Sequence, residues 1–298
     1  MAQPQHTPSL AGLEEALTVL FCLVDDSYAL LNPRARHYES LKQLSDSEVI
    51  ALALFQQLRG VESERSFLRD AQRFFSHLFP GVAGLHPSSF NRRVRKLRCF
   101  LEPLRREVLP ELVGEPETLI VDSTLLEVLH PRQVGQSAGF EGAAWVRWGS
   151  FSVYGVKLHL LCATNRVPIS YELTAANVAE AGLTEELLVA TAGLGRQKEL
   201  LARRLLGDLA YRSEALAAAL AGCGILLVTE RSRQGGVRQQ VEIALASLKR
   251  EFRLGETLAS TLVGLCTRIA AKVTAYTYGF YVNRLLGRPQ GRIKELWA

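Results

Sequence analysis

Two aspartates are the first candidates for chemistry in this sequence. After Asp70 the chain uses aspartate only at Asp122 and Asp208, although glutamate supplies most of its 30 acidic residues. Each follows a short apolar run, residues 119–121 and 205–207, of the kind that forms a buried strand. We expect both carboxylates to lie where a strand ends, which is a rigid position for a metal ligand or for a general acid and base pair.

A third acidic candidate lies on a predicted helix, residues 237–252. The apolar residues of this segment recur at helical spacing, and Glu242 lies on the rim of that face, four residues after Arg238 and seven before Lys249. Glu242 is therefore either a third ligand that faces the sheet or a surface glutamate with an arginine partner one turn away. Glu230 also follows a strand-like run, but it lacks a helical scaffold and ranks below Glu242.

Three carboxylates held close together repel one another unless cations neutralise them. Mg²⁺ and Mn²⁺ prefer hard carboxylate oxygens. Two such ions about 4 Å apart can hold the attacking and leaving oxygens of a phosphoryl displacement. Lysine and arginine side chains near such a site are suited to a phosphate backbone. The net charge of +5 permits a nucleic-acid partner but does not require one.

The first third of the chain, residues 1–114, is predicted to be helical. Helices are expected at 11–31, at 48–58 after a capping box that begins at Ser45, and at 64–75. A basic helix follows from Ser88 or Ser89, and its cationic residues include Arg92, Arg93, Arg95 and Lys96. Short helices that end in an arginine-rich one are typical of a helix-turn-helix-like module that enters a DNA groove. The alternative is a solvated basic face on a helical bundle.

A break that contains glycine and proline, at 114–116, separates this region from one of different texture. Beyond it the predicted order is three strands, a helix, a strand, a helix, a strand and a helix. That order indicates an α/β domain over 115–255. The remaining residues, 256–298, are predicted to be helical, and we expect them to pack on the α/β domain.

Two segments of the α/β region carry further candidate DNA contacts. Lys157 and His159 share one face of a predicted strand at 154–163, and Lys157 is either a phosphate contact or a lysine whose stem covers the sheet. The segment 130–151 mixes glycines with Arg147 and two tryptophans. It forms either a mobile loop that stacks on unpaired bases or a loop whose rings pack on the sheet.

The sequence contains no run of about 18 uncharged apolar residues, the length that a membrane span needs. Its first residues lack the basic and apolar segments of a signal peptide. We therefore expect a cytoplasmic protein with no membrane partner.

These residues together resemble those of the DDE transposases of bacterial insertion sequences, whose catalytic domain has the ribonuclease H-like fold. The likeness covers most of the chain, and its motifs occur in family order: LSDSEVIALALFQQLRG, FNRRVRKL, IVDS, YGVKLHLLCAT, LLGDLAY and RQQVEIALASLKREF. The last motif matches an Arg-x3-Glu-x6-Lys pattern at Arg238, Glu242 and Lys249. The resemblance implies a ribonuclease H-like mixed α/β sheet flanked by helices, with an all-α DNA-binding domain before it and a helical extension after it.

The resemblance also implies an enzyme that binds terminal inverted repeats and then cuts and joins DNA strands. Asp122, Asp208 and Glu242 would form the catalytic triad and hold two Mg²⁺ or Mn²⁺ ions, which activate water and then the 3′-hydroxyl. The expected partner is double-stranded DNA, both transposon ends and target, bound by a homodimer or a larger assembly because two ends must be joined. The expected DNA contacts are Arg92, Arg93, Arg95, Lys96, Arg147, Lys157, Arg238 and Lys249.

Two related functions stay open. The family carries a tyrosine three residues before the arginine of its signature, where this chain has Gly235, and the segment 231–236 is short. A metal-dependent nuclease that cuts without strand transfer would accommodate these departures. So would an inactive derivative that serves as a DNA-binding protein.

Overall fold

The protein divides into two compact units. The computed structural model describes residues 10–34, 42–134, 139–189, 202–231 and 236–294. A helical unit is formed within residues 1–108, 251–259 and 263–298, and a mixed α/β unit within 109–250 and 260–262.

The described residues form nine α-helices and six strands. The helices are α1 (Leu10–Leu31), α2 (Asp46–Leu58), α3 (Glu64–Phe74), α4 (Pro87–Val113), α5 (Pro131–Val134), α6 (Thr184–Val189), α7 (Glu214–Gly222), α8 (Gln239–Arg250) and α9 (Leu262–Leu285). The strands are β1 (Thr118–Glu127), β2 (Ala144–Trp148), β3 (Phe151–Ala163), β4 (Pro168–Ala175), β5 (Arg204–Gly207) and β6 (Leu226–Thr229).

The predicted capping box opens α2. The Ser45 hydroxyl accepts a hydrogen bond from the Glu48 N–H at 3.0 Å, and the Glu48 carboxylate accepts one from the Ser45 N–H at 2.5 Å. Two of the amides that a helix start leaves unpaired are satisfied in this way. The prediction of a helix that begins at this point is confirmed.

A buried ion pair joins the C-terminal helix to the N-terminal helices. The Lys272 ammonium on α9 is fully buried, bonds the Glu62 carboxylate and donates to the Phe252 carbonyl at 2.5 Å. Thr274 and Tyr278 of the same helix donate to carbonyls of α4. Most of residues 256–298 belong to this helical unit. The expectation that the segment packs on the α/β domain stays a prediction.

The α/β unit is built on one six-stranded mixed sheet. Its order is β2-β3-β1-β5-β6, with β4 paired to β3. β3 runs antiparallel to both β1 and β4, whereas β5 is parallel to β1 and to β6. Helices α6, α7 and α8 pack against strands of this sheet. The prediction of a mixed α/β sheet flanked by helices is confirmed.

Strand β1 is longer than predicted, and Asp122 lies inside it. The long strand β3 pairs with β1 continuously from Leu119 to Glu127, so the ladder continues past the aspartate. Gly155 of β3 permits this pairing, because a Cβ there would lie 2.1 Å from the Leu126 carbonyl oxygen. The parallel partner β5, in contrast, pairs with β1 only as far as Ile120.

Part of the segment predicted as a loop, residues 130–151, is ordered as β2, which forms a hairpin with β3. Gly149 takes a positive φ of 62° at the turn, a conformation that glycine adopts without strain. Residues 135–138 of this segment lie outside the described residues. So do residues 190–192, the end of the first helix expected in the α/β domain, which the sequence predicts at 179–192. Within the described part of the chain, no helix is long and apolar enough to cross a membrane.

Replacing Lys272 by methionine should destabilise the helical unit by about 3 kcal/mol, because the buried Glu62 carboxylate then keeps only the more distant Arg268, at 3.7 Å, as a cationic partner. Urea denaturation measures the loss. The double variant Lys272→Met, Glu62→Leu should recover most of it. Glu15→Gln, which alters an exposed pair with Arg288, serves as the control and should cost less than about 1 kcal/mol. A Lys272→Met variant as stable as this control would contradict the structural role of the pair.

Candidate active site

Asp122 and Asp208 lie at the same level of the sheet on neighbouring strands. In the parallel pairing of β1 with β5, Ile120 is opposite Leu206, and each aspartate lies two residues further along its chain. Side chains two residues apart on a strand point to the same face. The register therefore brings both carboxylates to one face, at the point where β5 ends and the parallel ladder stops.

Each aspartate has one carboxylate oxygen held by a backbone amide. Oδ1 of Asp122 accepts a hydrogen bond from the Ser123 N–H at 2.8 Å. Oδ1 of Asp208 accepts one from the Ala210 N–H at 2.9 Å, which caps a short 3₁₀ turn at Leu209–Tyr211. No other described residue donates a hydrogen bond to either carboxylate. The second oxygen of each is thus left for a ligand or for water.

Asp122 carries a strongly shifted pKa. Its pKa is raised from 3.8 to about 6, chiefly by burial; the charges of Asp208 and Glu242 also raise it, whereas the Ser123 amide lowers it. Arg238 opposes this repulsion. The two aspartates and the glutamate therefore act on one another electrostatically, as expected of carboxylates gathered at one site.

Glu242 lies in the first turn of α8, a helix that packs on β1 and β3. The Arg238 guanidinium, only 5% exposed, donates to Glu242 Oε1. Both interpretations of Glu242 hold in part, since it has an arginine partner one turn away and it also acts on Asp122. Arg238 Nε is buried and has no hydrogen-bond partner among the described residues.

The donor chemistry of these carboxylates fits a hard divalent cation, since all three supply oxygen and none supplies sulfur or imidazole nitrogen. Within the described ranges, however, no three acidic, histidine or cysteine side chains are close enough together to hold a metal ion. Arg238 occupies one oxygen of Glu242. The three carboxylates lie in one electrostatic environment without closing around a common point.

Lys157 lies on the opposite face of the sheet from Asp122. β1 and β3 pair Asp122 with Leu160 and Leu125 with Lys157, so the alternation of side chains separates the two. The Lys157 ammonium is buried, donates to Glu180 Oε1 at 2.7 Å and donates to the Val178 carbonyl at 2.8 Å. The expectation of a phosphate contact by Lys157 is not supported, because its donors are used within the protein.

His159 lies beside Lys157 and is fully buried. Burial lowers its pKa to about 4, and the Lys157 charge adds to this effect while Glu180 opposes it. One ring nitrogen lies 3.0 Å from the Thr174 hydroxyl. His159 is therefore a neutral residue of the sheet at physiological pH.

The predicted DNA contacts on α4 are mostly accessible. Arg92, Arg95 and Lys96 are exposed, whereas Arg93 donates to Asp46 Oδ1 at 2.7 Å. These residues occupy the first part of a 27-residue helix rather than a short recognition helix. The exposed cations of α4 form a stripe suited to phosphate.

Other predicted contacts lie in the α/β unit. Arg147 on β2 and Lys249 in the last turn of α8 are both exposed, and partial burial lowers the pKa of Lys249. Trp145 is 46% exposed, with its ring centroid 5.3 Å from that of Tyr154. Most of the short segment 231–236, residues 232–235, lies outside the described residues.

Two residues near the carboxylates escaped the sequence interpretation, Glu180 and Tyr211. Glu180 accepts from Lys157 and lies 3.4 Å from the Ser123 hydroxyl. The Tyr211 hydroxyl is buried, and the charges of Asp122, Glu180 and Asp208 add to the effect of burial in raising its pKa. In the sequence, only the position of Tyr211, three residues after Asp208, indicated that it lies near the carboxylates.

Comparison with known proteins places the chain in a family. Residues 114–278 match the sequence model of the family described as "Transposase DDE domain". No curated protein gives a significant match. A solved structure described as the "Cryo-EM structure of piggyBac transposase synaptic complex with hairpin DNA" is similar over 94% of this chain and 78% of that chain, with 13% sequence identity and a TM-score of 0.46. Since the family match spans more than half of the sequence, the chain belongs to the Transposase DDE domain family.

Proposed function

We propose that this transposase binds the terminal inverted repeats of its element and catalyses metal-dependent DNA strand cleavage and strand transfer. The observation that carries the proposal is the electrostatic coupling of Asp122 to Asp208 and Glu242 at the edge where β5 ends. A half-buried carboxyl beside two others is costly without a cation, so the arrangement favours a site that binds one.

In this proposal Asp122, Asp208 and Glu242 hold two Mg²⁺ or Mn²⁺ ions. Such ions supply an activated water or hydroxyl nucleophile and stabilise charge on the phosphate. The backbone amides of Ser123 and Ala210 each hold one carboxylate oxygen of an aspartate. Each side chain is thereby restrained, and its second oxygen can bind an ion. Arg238 holds Glu242 and offsets part of the negative charge that the site accumulates.

The remaining cations serve DNA in this proposal. The exposed stripe Arg92, Arg95 and Lys96 contacts the phosphate backbone, and so do Arg147 and Lys249. Arg93 and Arg238 are paired with carboxylates and act first on the protein itself. Because two element ends must be brought together, we propose that the protein works as a homodimer or a larger assembly on DNA.

Single replacement of Asp122 or Asp208 by asparagine, or of Glu242 by glutamine, should reduce Mg²⁺-dependent cleavage of a labelled transposon-end duplex by at least about 10³-fold. The physical reason is that each change removes an anionic ligand while keeping the shape of the side chain. Cleavage is followed on denaturing gels with Mg²⁺, with Mn²⁺ and with EDTA.

Glu127→Gln is the matched control for this series, because Glu127 is exposed at the far end of the same strand as Asp122. It should cut at the wild-type rate. Robust cutting by one of the three variants would remove that residue from the catalytic set. Wild-type protein that cuts but never joins ends would support a nuclease, and one that only binds ends would support an inactive derivative.

Asp122→Asn should stabilise the protein at pH 8 in EDTA. The pKa of Asp122 is raised from 3.8 to about 6 in the folded protein. The protonated carboxyl therefore makes its full contribution to the free energy of unfolding below pH 3.8, and this contribution is lost as the pH rises through 6. A neutral asparagine avoids this loss. The gain should be about 1–2 kcal/mol after allowance for solvent screening, and at most about 3 kcal/mol.

Chemical denaturation of both proteins at pH 8 and pH 4 measures the effect, which should nearly vanish at pH 4. Adding Mg²⁺ at pH 8 should stabilise the wild type and leave the asparagine variant unchanged. A constant difference between the two proteins across this pH range would contradict the raised pKa.

Replacing Arg92, Arg95 and Lys96 together by alanine should weaken DNA binding and reduce the slope of log affinity against log salt by about 0.9 for each phosphate that the protein no longer neutralises. Fluorescence anisotropy with an end duplex and with an unrelated duplex measures both effects. Arg106→Gln is the control, because Arg106 lies on the same helix and is paired with Glu102. An unchanged salt slope in the triple variant would show that Arg92, Arg95 and Lys96 do not contact phosphate.

A further inference from the structure

A buried polar cluster lies behind the candidate active site, on the face of the sheet opposite Asp122. Ser123 and His159 pair across β1 and β3, and Lys157 follows two residues away on β3. Alternation along the strands therefore places their side chains on the same face. The chemistry proposed for the carboxylates uses none of this cluster, although Ser123 is the residue whose amide holds Asp122.

Hydrogen bonds connect this cluster to Asp122 in a chain. The Ser123 hydroxyl donates to Glu180 Oε1 at 3.4 Å, and the same oxygen accepts a hydrogen bond from the Lys157 ammonium at 2.7 Å. Lys157 also donates to the Val178 carbonyl at 2.8 Å. The ammonium is buried, so it needs the Glu180 charge, and the pair fixes the segment around Val178 against the two strands.

Tyr211 connects the same cluster to Asp208. Its ring packs on Gly207, where a Cβ would lie 3.0 Å from the Tyr211 Cβ and Cγ, so the close approach depends on glycine. Its hydroxyl is buried and has no hydrogen-bond partner among the described residues. The charges of Asp122, Glu180 and Asp208 all act on it, and the nearby Ser123 hydroxyl offsets a small part of their effect.

A buried hydroxyl that donates to nothing is costly, whereas a donor aimed at carboxylates is strongly favoured. Tyr211 packs on the residue before Asp208, and its buried hydroxyl lies near Ser123. Lys157 supplies the positive charge that keeps Glu180 ionised and in place, and Glu180 in turn orients Ser123. Both aspartate-bearing segments are thereby tied to one internal network.

We propose that Lys157, Glu180 and Tyr211 are positioning residues that fix the relative placement of Asp122 and Asp208 for divalent cations. This inference rests on the proposed function, because it concerns the same metal-binding carboxylates. Hydrogen-bond partners of metal ligands orient those ligands, and their loss typically weakens metal binding by about 10–100-fold.

The test measures Mn²⁺ binding directly, without DNA and without catalysis. The full-length protein is titrated with Mn²⁺, and the free ion is followed by electron paramagnetic resonance. Tyr211→Phe and Glu180→Gln should each weaken Mn²⁺ binding by about 10-fold or more. Lys157→Arg should bind more tightly than Lys157→Met, because arginine keeps the cation beside Glu180. Tyr211→Phe removes only an oxygen without a hydrogen bond, so it is expected to fold.

Tyr154→Phe is the matched control. The Tyr154 hydroxyl hydrogen bonds the backbone of Phe140 rather than the cluster, so its loss should leave Mn²⁺ affinity unchanged. A purely structural role for the network would lower the melting temperature of the variants without weakening Mn²⁺ binding, and that result would overturn the inference.

The proposed function fails separately. If the wild type binds Mn²⁺ and Asp122→Asn abolishes this binding while Tyr211→Phe and Glu180→Gln bind normally, the metal site stands and the positioning network falls. If the wild type binds no Mn²⁺, both proposals are overturned. If Tyr211→Phe binds Mn²⁺ more weakly and melts at the wild-type temperature, the result supports the positioning role directly.

Discussion

The burial of Asp122 beside two other carboxylates, at one edge of the sheet, is the constraint on which the candidate site depends. Asp122 is half-buried beside Asp208 and Glu242, and its pKa rises to about 6 as a result. The fold tolerates this cost through backbone amides that hold one oxygen of each aspartate and through Arg238, which pairs with the glutamate. Positive charge is supplied only in part, and under the proposed function a divalent cation supplies the rest.

The two units use buried charge differently. In the helical unit, Lys272 and Glu62 neutralise each other, so the pair connects distant parts of the chain without reactivity. In the α/β unit, Lys157 and Glu180 form a comparable pair one layer away from Asp122. Burial of a complete pair specifies how segments pack, whereas burial of an incomplete set of charges creates a need for a ligand.

Much of this arrangement was predictable from the sequence, and the exceptions have physical reasons. Apolar runs before Asp122 and Asp208 predicted strands that end near these residues. This is confirmed for Asp208 but wrong for Asp122, which lies inside β1 because β3 continues the ladder, and the structure brings both aspartates to one level of the sheet. Strand periodicity showed that Lys157 and His159 share a face, but it contains no information about which face Asp122 occupies. The helix α9 is buried on nearly all sides, so its pattern could not indicate a partner. Glu180 is 57 residues from Ser123 in the chain, too far for any local spacing to indicate their contact.

The position of Asp122 inside β1 has a consequence for metal selectivity under the proposed function. Its backbone is held in the antiparallel ladder opposite Leu160, whereas Asp208 lies in a turn just beyond β5 and Glu242 lies in the first turn of α8. Mg²⁺ demands a nearly ideal octahedron, while larger cations accept longer and less regular bonds. Any adjustment to ionic radius therefore falls to the turn and the helix, and the choice between cations is decided there rather than by the sheet.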